Sequence, residues 1–414
     1  RKPVIEGLRD FFTRLSPSDR ASIVSYNGGT RVLVPFTNSK EELLDGLLRL
    51  EKASPRGLSW EAQYQQTIRE LRVTRGSTRS SIIRSWSSQA AVRERSSLDE
   101  LSRSVSALAA RSGKRTLLLV TNGYEWYPGQ TLSQAFGPSL MQQFEYQIGA
   151  ELEKVIAEAN SAGITIQVFD AKGLTVDSDS SERLAPAVNP FFKTQNFRDS
   201  MAALAADTGG TLVENRNVFK GELDRVYRDA SSYYSVGVTL SGMPGGTARK
   251  VDVRTTRPGV VVKARTGFVA RTADQAAVDR VEMALLTPGA TGDFAAGLKI
   301  GAMESAGGIA GRRVASYEVT FPMSELTFRE EGGNMVALAE FALAAVEDTG
   351  ARSSIKPERR TISIPAAEWE KAKARSAVHR GQVKTNKGNI RFVAGVRDVT
   401  SGRMALASTD VRVE

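Results

Sequence analysis

The stretch Lys114-Arg-Thr-Leu-Leu-Leu-Val-Thr-Asn-Gly-Tyr-Glu-Trp126 constrains the fold more than any other part of the chain. Thr116 to Thr121 form an unbroken, mainly apolar run with β-branched members, bounded by Arg115 before it and Asn122-Gly123 after it. Such a run suits the central strand of a parallel sheet covered by helices on both faces. In open α/β sheets ligands lie just beyond the carboxyl ends of the strands, which puts Asn122, Gly123, Tyr124 and Glu125 at a functional rim.

The rest of the chain can be placed around that strand. Residues 4–14 predict an amphipathic helix with Val4, Ile5, Leu8, Phe11 and Phe12 on one face. Residues 21–26 and 31–36 predict two strands joined by the hairpin signal Asn27-Gly28-Gly29-Thr30. They are expected at the edge of the parallel sheet, where Pro35 sacrifices no ladder bond. Ser39 caps a helix through Leu50 with Glu41 and Glu42 in its first turn. A further helix runs from about Trp60 to Arg72. The Ser/Arg-rich residues 74–95 read as insertion-like, and 96–111 as a helix feeding the central strand. Beyond the rim come a loop to Pro138 and a helix from about Leu140 to Ser161 ending at Gly163. The strand 164–170 then completes a right-handed crossover. A polar loop over 172–196, a helix over 197–207 closed by Gly209-Gly210, a short strand at 211–213 and a helix over 218–231 follow.

At Tyr233 the pattern changes to short strands with Gly/Pro turns: 233–240, 250–255, 260–264, 314–321, 335–346, 360–364, 390–396 and 404–413. That spacing predicts a β-sandwich, although Ala-rich 335–346 suits a helix equally. The expected organisation is an α/β, doubly wound, mainly parallel domain over 1–232, a β-rich extension over 233–272 and a β-sandwich-like domain over 273–414.

Composition narrows the chemistry. The net charge of +10 comes from scattered basic residues, which is the pattern of a solvated surface more than of a nucleic-acid groove. With no cysteine and one histidine, His379, disulfides, thiolate sites, His-dependent triads and multi-His metal sites are excluded. His379 lies in a polar segment and reads as an exposed residue. No run of about 18 apolar residues exists to span a membrane. The Gly-rich piece 297–311 lacks the Lys-Ser/Thr ending of a phosphate loop. The chain opens directly into a helix without an initiator Met, so a fragment or mature form is expected.

The order of elements around Leu-Leu-Leu-Val-Thr-Asn-Gly, Ile-Thr-Ile-Gln-Val-Phe-Asp170 and Leu-Ala-Ala-Asp-Thr-Gly-Gly-Thr211 resembles a von Willebrand factor type A domain. Leu223 to Gly237, Arg249-Lys-Val-Asp-Val-Arg254 and Val262-Lys-Ala-Arg-Thr-Gly-Phe268 are similar to the bacterial VWFA-related proteins common in acidobacteria. The resemblance covers residues 1–270 and implies a Rossmann-like domain, here lacking its first strand. It also implies an extracytoplasmic setting, a protein partner and a metal-ion-dependent adhesion site that holds magnesium.

Three departures make that site degenerate. No Asp-x-Ser-x-Ser loop is present, Arg56-Gly-Leu-Ser59 stands where Gly-Gly-Thr is expected, and Thr121-Asn-Gly123 replaces Ser-Asp-Gly. Ser59 and Asn122 are the residues left to offer oxygens, with no tight magnesium site expected in the chain as it stands. Each also has a simpler use, Ser59 as a helix N-cap and Asn122 as a turn residue before Gly.

The favoured reading is a non-enzymatic adhesion module that binds a protein through the rim residues Tyr124, Glu125, Trp126 and Asp170. A doubly wound hydrolase using Asp170 and Glu125 is an alternative. So is a polyanion-binding surface on the Arg/Ser segment.

Overall fold

The computed structural model describes residues 2–53, 57–137, 146–171, 190–216, 218–234, 236, 247–305 and 312–413. It shows a mixed α/β protein with one three-stranded parallel sheet and several antiparallel sheets. Among the described residues no helix is long and apolar enough to cross a membrane. The chain divides into two compact units, residues 1–28, 37–105 and 112–270 in the first, and 29–36, 106–111 and 271–414 in the second.

The first unit holds helices α1 (Lys2–Thr13), α2 (Lys40–Lys52), α3 (Gly57–Val73) and most of α4 (Gly76–Ala109). Strand β3 (Arg115–Thr121), α5 (Gln130–Phe136), α6 (Gly149–Ala162), β4 (Ile164–Asp170), α7 (Pro190–Asp207), β5 (Leu212–Val213) and α8 (Lys220–Ser231) follow. β3, β4 and β5 pair in that order, all parallel. The buried strand at the centre is therefore β4, with Ile164, Ile166, Val168 and Phe169 all at or below 1% exposure. β3 corrects the expectation of a fully covered central strand. Among the described residues it pairs on one side, its residues are half-buried, and Val120 is 38% exposed.

The stretch ending α7 ties the sheet together. The Thr208 hydroxyl accepts from the Ile166 N–H at 3.0 Å and donates to the Leu204 carbonyl at 2.7 Å. The Gln167 side chain accepts from the Thr211 N–H at 2.9 Å. Both are buried polar groups whose partners remove the penalty of burial.

Residues 74–95, read from the sequence as insertion-like, lie largely within α4. Their apolar positions Ile83, Trp86 and Ala90 continue through Leu98, Leu101 and Val105 at steps of three and four, a buried helical stripe. Ser and Arg occupy the other faces, where weak propensity is outweighed by packing. The hairpin strands β1 (Ala21–Tyr26) and β2 (Thr30–Thr37) form a two-stranded sheet of their own, and among the described residues they do not join the parallel sheet. Most of the predicted strand at 233–240 and of the loop at 172–196 lies outside the described residues.

The first unit ends in a hairpin, β6 (Ala248–Lys250) paired antiparallel with β7 (Gly267–Val269). The sequence predicts strands at 250–255 and 260–264. The paired part lies instead at the base of the hairpin, and residues 251–255 and 260–264 are not in strands.

The second unit opens with α9 (Ala273–Leu286), within the stretch read from the sequence as a β-sandwich-like domain. Thr272 and Gln275 form a reciprocal capping box at its start. Strands β8 (Gly297–Ser305), β9 (Arg312–Pro322), β10 (Arg329–Glu331), β11 (Asn334–Glu347) and β12 (Glu358–Pro365) come next. The short helix α10 (Trp369–Lys373) and strands β13 (Ser376–Asn386), β14 (Gly388–Asp398) and β15 (Met404–Val413) complete it. They build a three-stranded antiparallel sheet, β13-β9-β8, and a five-stranded one, β10-β11-β14-β15 with β12 also on β11.

Alternation along β11 explains how the five-stranded sheet is used. Ala337, Ala339 and Phe341 join Val319 and Phe321 of β9 in one core. Ala344 packs instead with Val281, Ala284 and Leu285 of α9, so the strand has a helix on one face and a sheet on the other. The ambiguity between strand and helix in this Ala-rich segment is resolved by its long-range pairing with β12 and β14. A buried ion pair, Arg352 with Glu282 at 3.1 Å, anchors α9. Arg397, 4% exposed in its side chain, bridges Asp274 at 2.5 Å and Glu340 at 2.9 Å. His379 is not an exposed surface residue. It is half-buried on β13, stacked on Phe341 with ring centroids 3.9 Å apart, and burial lowers its pKa.

Candidate functional site at the carboxyl edge of the parallel sheet

β3 and β4 end side by side, with Thr121 in register with Asp170 and the Ala171 N–H donating to the Thr121 carbonyl at 2.8 Å. The chain then turns sharply. The Thr121 hydroxyl accepts from the Gly123 N–H at 3.1 Å, and Gly123 takes φ 89°. A Cβ at Gly123 would stand 2.7 Å from the Phe197 carbonyl oxygen, so both conformation and space demand glycine. Asn122, just before it, is exposed at the tip of the turn.

The loop that follows is fastened to α7 by two side chains one helical turn apart. Ser200, fully buried, accepts from the Tyr124 N–H at 3.0 Å and donates to the Phe197 carbonyl at 2.8 Å. Asn196, 5% exposed, accepts from the Tyr127 N–H at 2.9 Å and donates to the Tyr127 carbonyl at 3.2 Å. The Glu125 carboxylate accepts from the Gly129 N–H at 3.1 Å, at the N-cap of α5. The Trp126 carbonyl accepts from the Ile148 N–H at 3.2 Å.

These contacts decide what the rim offers. Tyr124, 4% exposed, and Glu125, 9% exposed, are turned inward and are not surface anchors. Trp126 and Asp170 are half-buried. Asn122 is the exposed member of the set. Glu125, engaged with Gly129 inside the loop, is not free to form an open carboxylate pair with Asp170. Ser59 is the third residue of α3, inside the helix and not at its cap, and its side chain lies outside the described residues.

Magnesium prefers near-octahedral oxygen ligation that includes carboxylates. The predicted pair supplies an amide oxygen and a hydroxyl, and no described contact joins Asn122 to Ser59. Among the described residues no group of three or more His, Asp or Glu side chains is gathered for a metal.

A group without any sequence-predicted role lies beneath the rim. Glu94, on the buried stripe of α4 between Ala90 and Leu98, is 6% exposed and forms no hydrogen bond or ion pair among the described residues. Burial pushes its pKa up from 4.5 to about 7, opposed by the Arg93 charge. Its carboxyl faces two phenols electrostatically. Burial raises Tyr124, whose hydroxyl is bonded to Ser97, and raises Tyr26 at the end of β1, with Glu100 and Glu94 adding to the shift there. The sequence does carry a signal for it, a carboxylate at an apolar position of a three-and-four repeat. The Ser/Arg composition of residues 74–95 hides that repeat.

The basic residues of α4 are largely engaged within the first unit. Arg93 lies 4.7 Å over the Trp60 ring, Arg95 pairs with Glu151 at 2.7 Å, and Arg79 donates to the Thr74 carbonyl at 2.8 Å. Arg84 of the same helix, and Arg69, Arg72 and Arg75 before it, are exposed.

No protein-family model matches the chain, and no curated protein matches it. Among solved structures it is aligned with a β-glucosidase from Listeria innocua at 9% identity and a TM-score of 0.15, over 72% of this chain and 36% of that one. The same enzyme in complex with glucose gives 8% identity and a TM-score of 0.15. The chain thus spans about a third of the structures it is aligned with, and likeness at that level carries no argument about fold or activity.

Proposed function

We propose that the chain is a non-enzymatic recognition module that binds a protein partner at the carboxyl edge of its parallel sheet. Its first part is read as a von Willebrand factor type A-like domain with a degenerate adhesion site, and its last part as a β-sandwich, in an extracytoplasmic protein. The observation that carries this reading is the fastening of residues 124–127 by Asn196 and Ser200, which holds Asn122 exposed at the strand end. A rigid loop displaying one polar residue loses little conformational freedom on binding, the property that favours recognition surfaces. Protein contacts here take the place of the cation of a complete adhesion site.

The test is partner capture by the full chain from an extracytoplasmic fraction, with Asn122→Arg and Asp170→Asn at the edge and Arg216→Gln, on the exposed surface of the same unit, as control. Loss of the captured protein on the edge variants alone is expected. Equal capture by every variant would remove the rim from consideration.

A further inference from the structure

The β6–β7 hairpin carries a second feature that the recognition edge does not use. Its register, Ala248 to Val269 and Lys250 to Gly267, continues outward through the Val251 N–H, which donates to the Thr266 carbonyl at 2.8 Å. Beyond that bond the chain runs out to a turn at Pro258-Gly259. Gly259 has φ 73°, and Pro followed by a positive-φ Gly is the pair a type II turn requires.

Every residue from Asp252 to Lys263 is exposed. Among them are four valines, Val253 at 50%, Val260 at 50%, Val261 at 85% and Val262 at 38%. No atom lies within 4 Å of the position a Cβ would take on Gly259, so the tip stands in open space. Val260, Val261 and Val262 are consecutive and all exposed, and three successive side chains point to more than one side of a chain. A protein packed on one side would leave valine on another in water. A bilayer surrounds an inserted tip and takes up every side together.

Charge selects the lipid. Between Ala248 and Val269 stand Arg249, Lys250, Arg254, Arg257, Lys263 and Arg265 against one acid, Asp252. Arg254 is paired with Asp252 at 2.7 Å and Lys263 with Asp229 at 3.0 Å. Arg249, Lys250 and Arg257 make no ion pair among the described residues. We propose that the hairpin tip, Arg254 to Lys263, is a docking surface for an anionic lipid bilayer. The valines enter the headgroup boundary while the cations meet lipid phosphates, the two contributions on which stable interfacial binding depends.

Vesicle flotation of the full chain tests this directly. The chain should float with mixed phosphatidylglycerol–phosphatidylcholine vesicles and stay behind with phosphatidylcholine alone. Replacing Val260→Asp and Val261→Asp together should weaken binding at least ~10-fold. Lys250→Gln with Arg257→Gln should weaken it several-fold, most at low salt. A Val261→Trp chain should gain blue-shifted emission, relative to the unsubstituted chain, on the anionic vesicles. Failure to float with anionic vesicles overturns the proposal, as does equal flotation of the double Asp variant or flotation of the Val261→Trp chain without that blue shift. Retention on a soluble polyanion without flotation also overturns it, assigning the cations to a polyanion.

Discussion

The loop after β3 and the tip of the β6–β7 hairpin are both short turns of the first unit that contain a positive-φ glycine. They are built in opposite ways. The loop turns its aromatic and acidic side chains inward, where Ser200, Asn196 and the Gly129 N–H engage its backbone and carboxylate. The tip turns valines outward and has no packing partner around Gly259. An aromatic-rich turn in a sequence is therefore no guide to an exposed surface, because long-range hydrogen bonds decide which way it faces. A run of three valines beside Pro-Gly is a better guide when cations surround it.

The contrast is sharpest at the two glycines. Gly123→Ala should destabilise the first unit by about 3 kcal/mol or more in chemical denaturation, since left-handed strain adds to the clash with the Phe197 carbonyl. Gly259→Ala should cost about 1 kcal/mol, the conformational part alone. Equal effects would mean that the loop yields as readily as the tip.

Glu94 should give the next largest effect. Its folded pKa of about 7 lies above its ordinary 4.5, so between these values the folded state holds a proton that the unfolded chain has released. Stability contributed by this group is therefore full below pH 4.5, declines as pH rises to about 7, and is level above that. Glu94→Gln should flatten that slope and stabilise the protein at pH 8 by up to about 3 kcal/mol in thermal or denaturant melts. An unchanged slope would place the carboxyl in water.

Asn196→Ala removes both bonds to Tyr127 and should cost about 1–2 kcal/mol, with faster amide exchange confined to residues 124–129. At the small end, Val261→Ser should alter stability by less than about 0.5 kcal/mol, because nothing packs on that side chain. A larger loss would show that the tip is covered within the chain.

Where local pattern and tertiary need coincide, the sequence is readable. The strand at residues 404–413 is β15 to the residue, and Asn27-Gly28-Gly29 does close a hairpin. Thr116 to Thr121 form a strand, but its apolarity overstates its cover, since periodicity reports capacity for burial and not the neighbours that provide it. α4 is obscured by Ser and Arg on its outer faces, and α9 by valines, although Thr272 and Gln275 announce its start. Asn122 falls where the strand-end rule places it. The inward turn of Tyr124 is out of reach, because it depends on Ser200, 76 residues further on.

β11 has one more implication, for how this chain tolerates change. Its odd-numbered residues serve one core and its even-numbered ones another, so a single-residue insertion would send Phe341 and Ala344 to the wrong sides together. Lineages of this protein should therefore vary in length at Pro258-Gly259 and hold constant length across β11. A deletion scan would draw that contrast as a map of where evolution is free to edit.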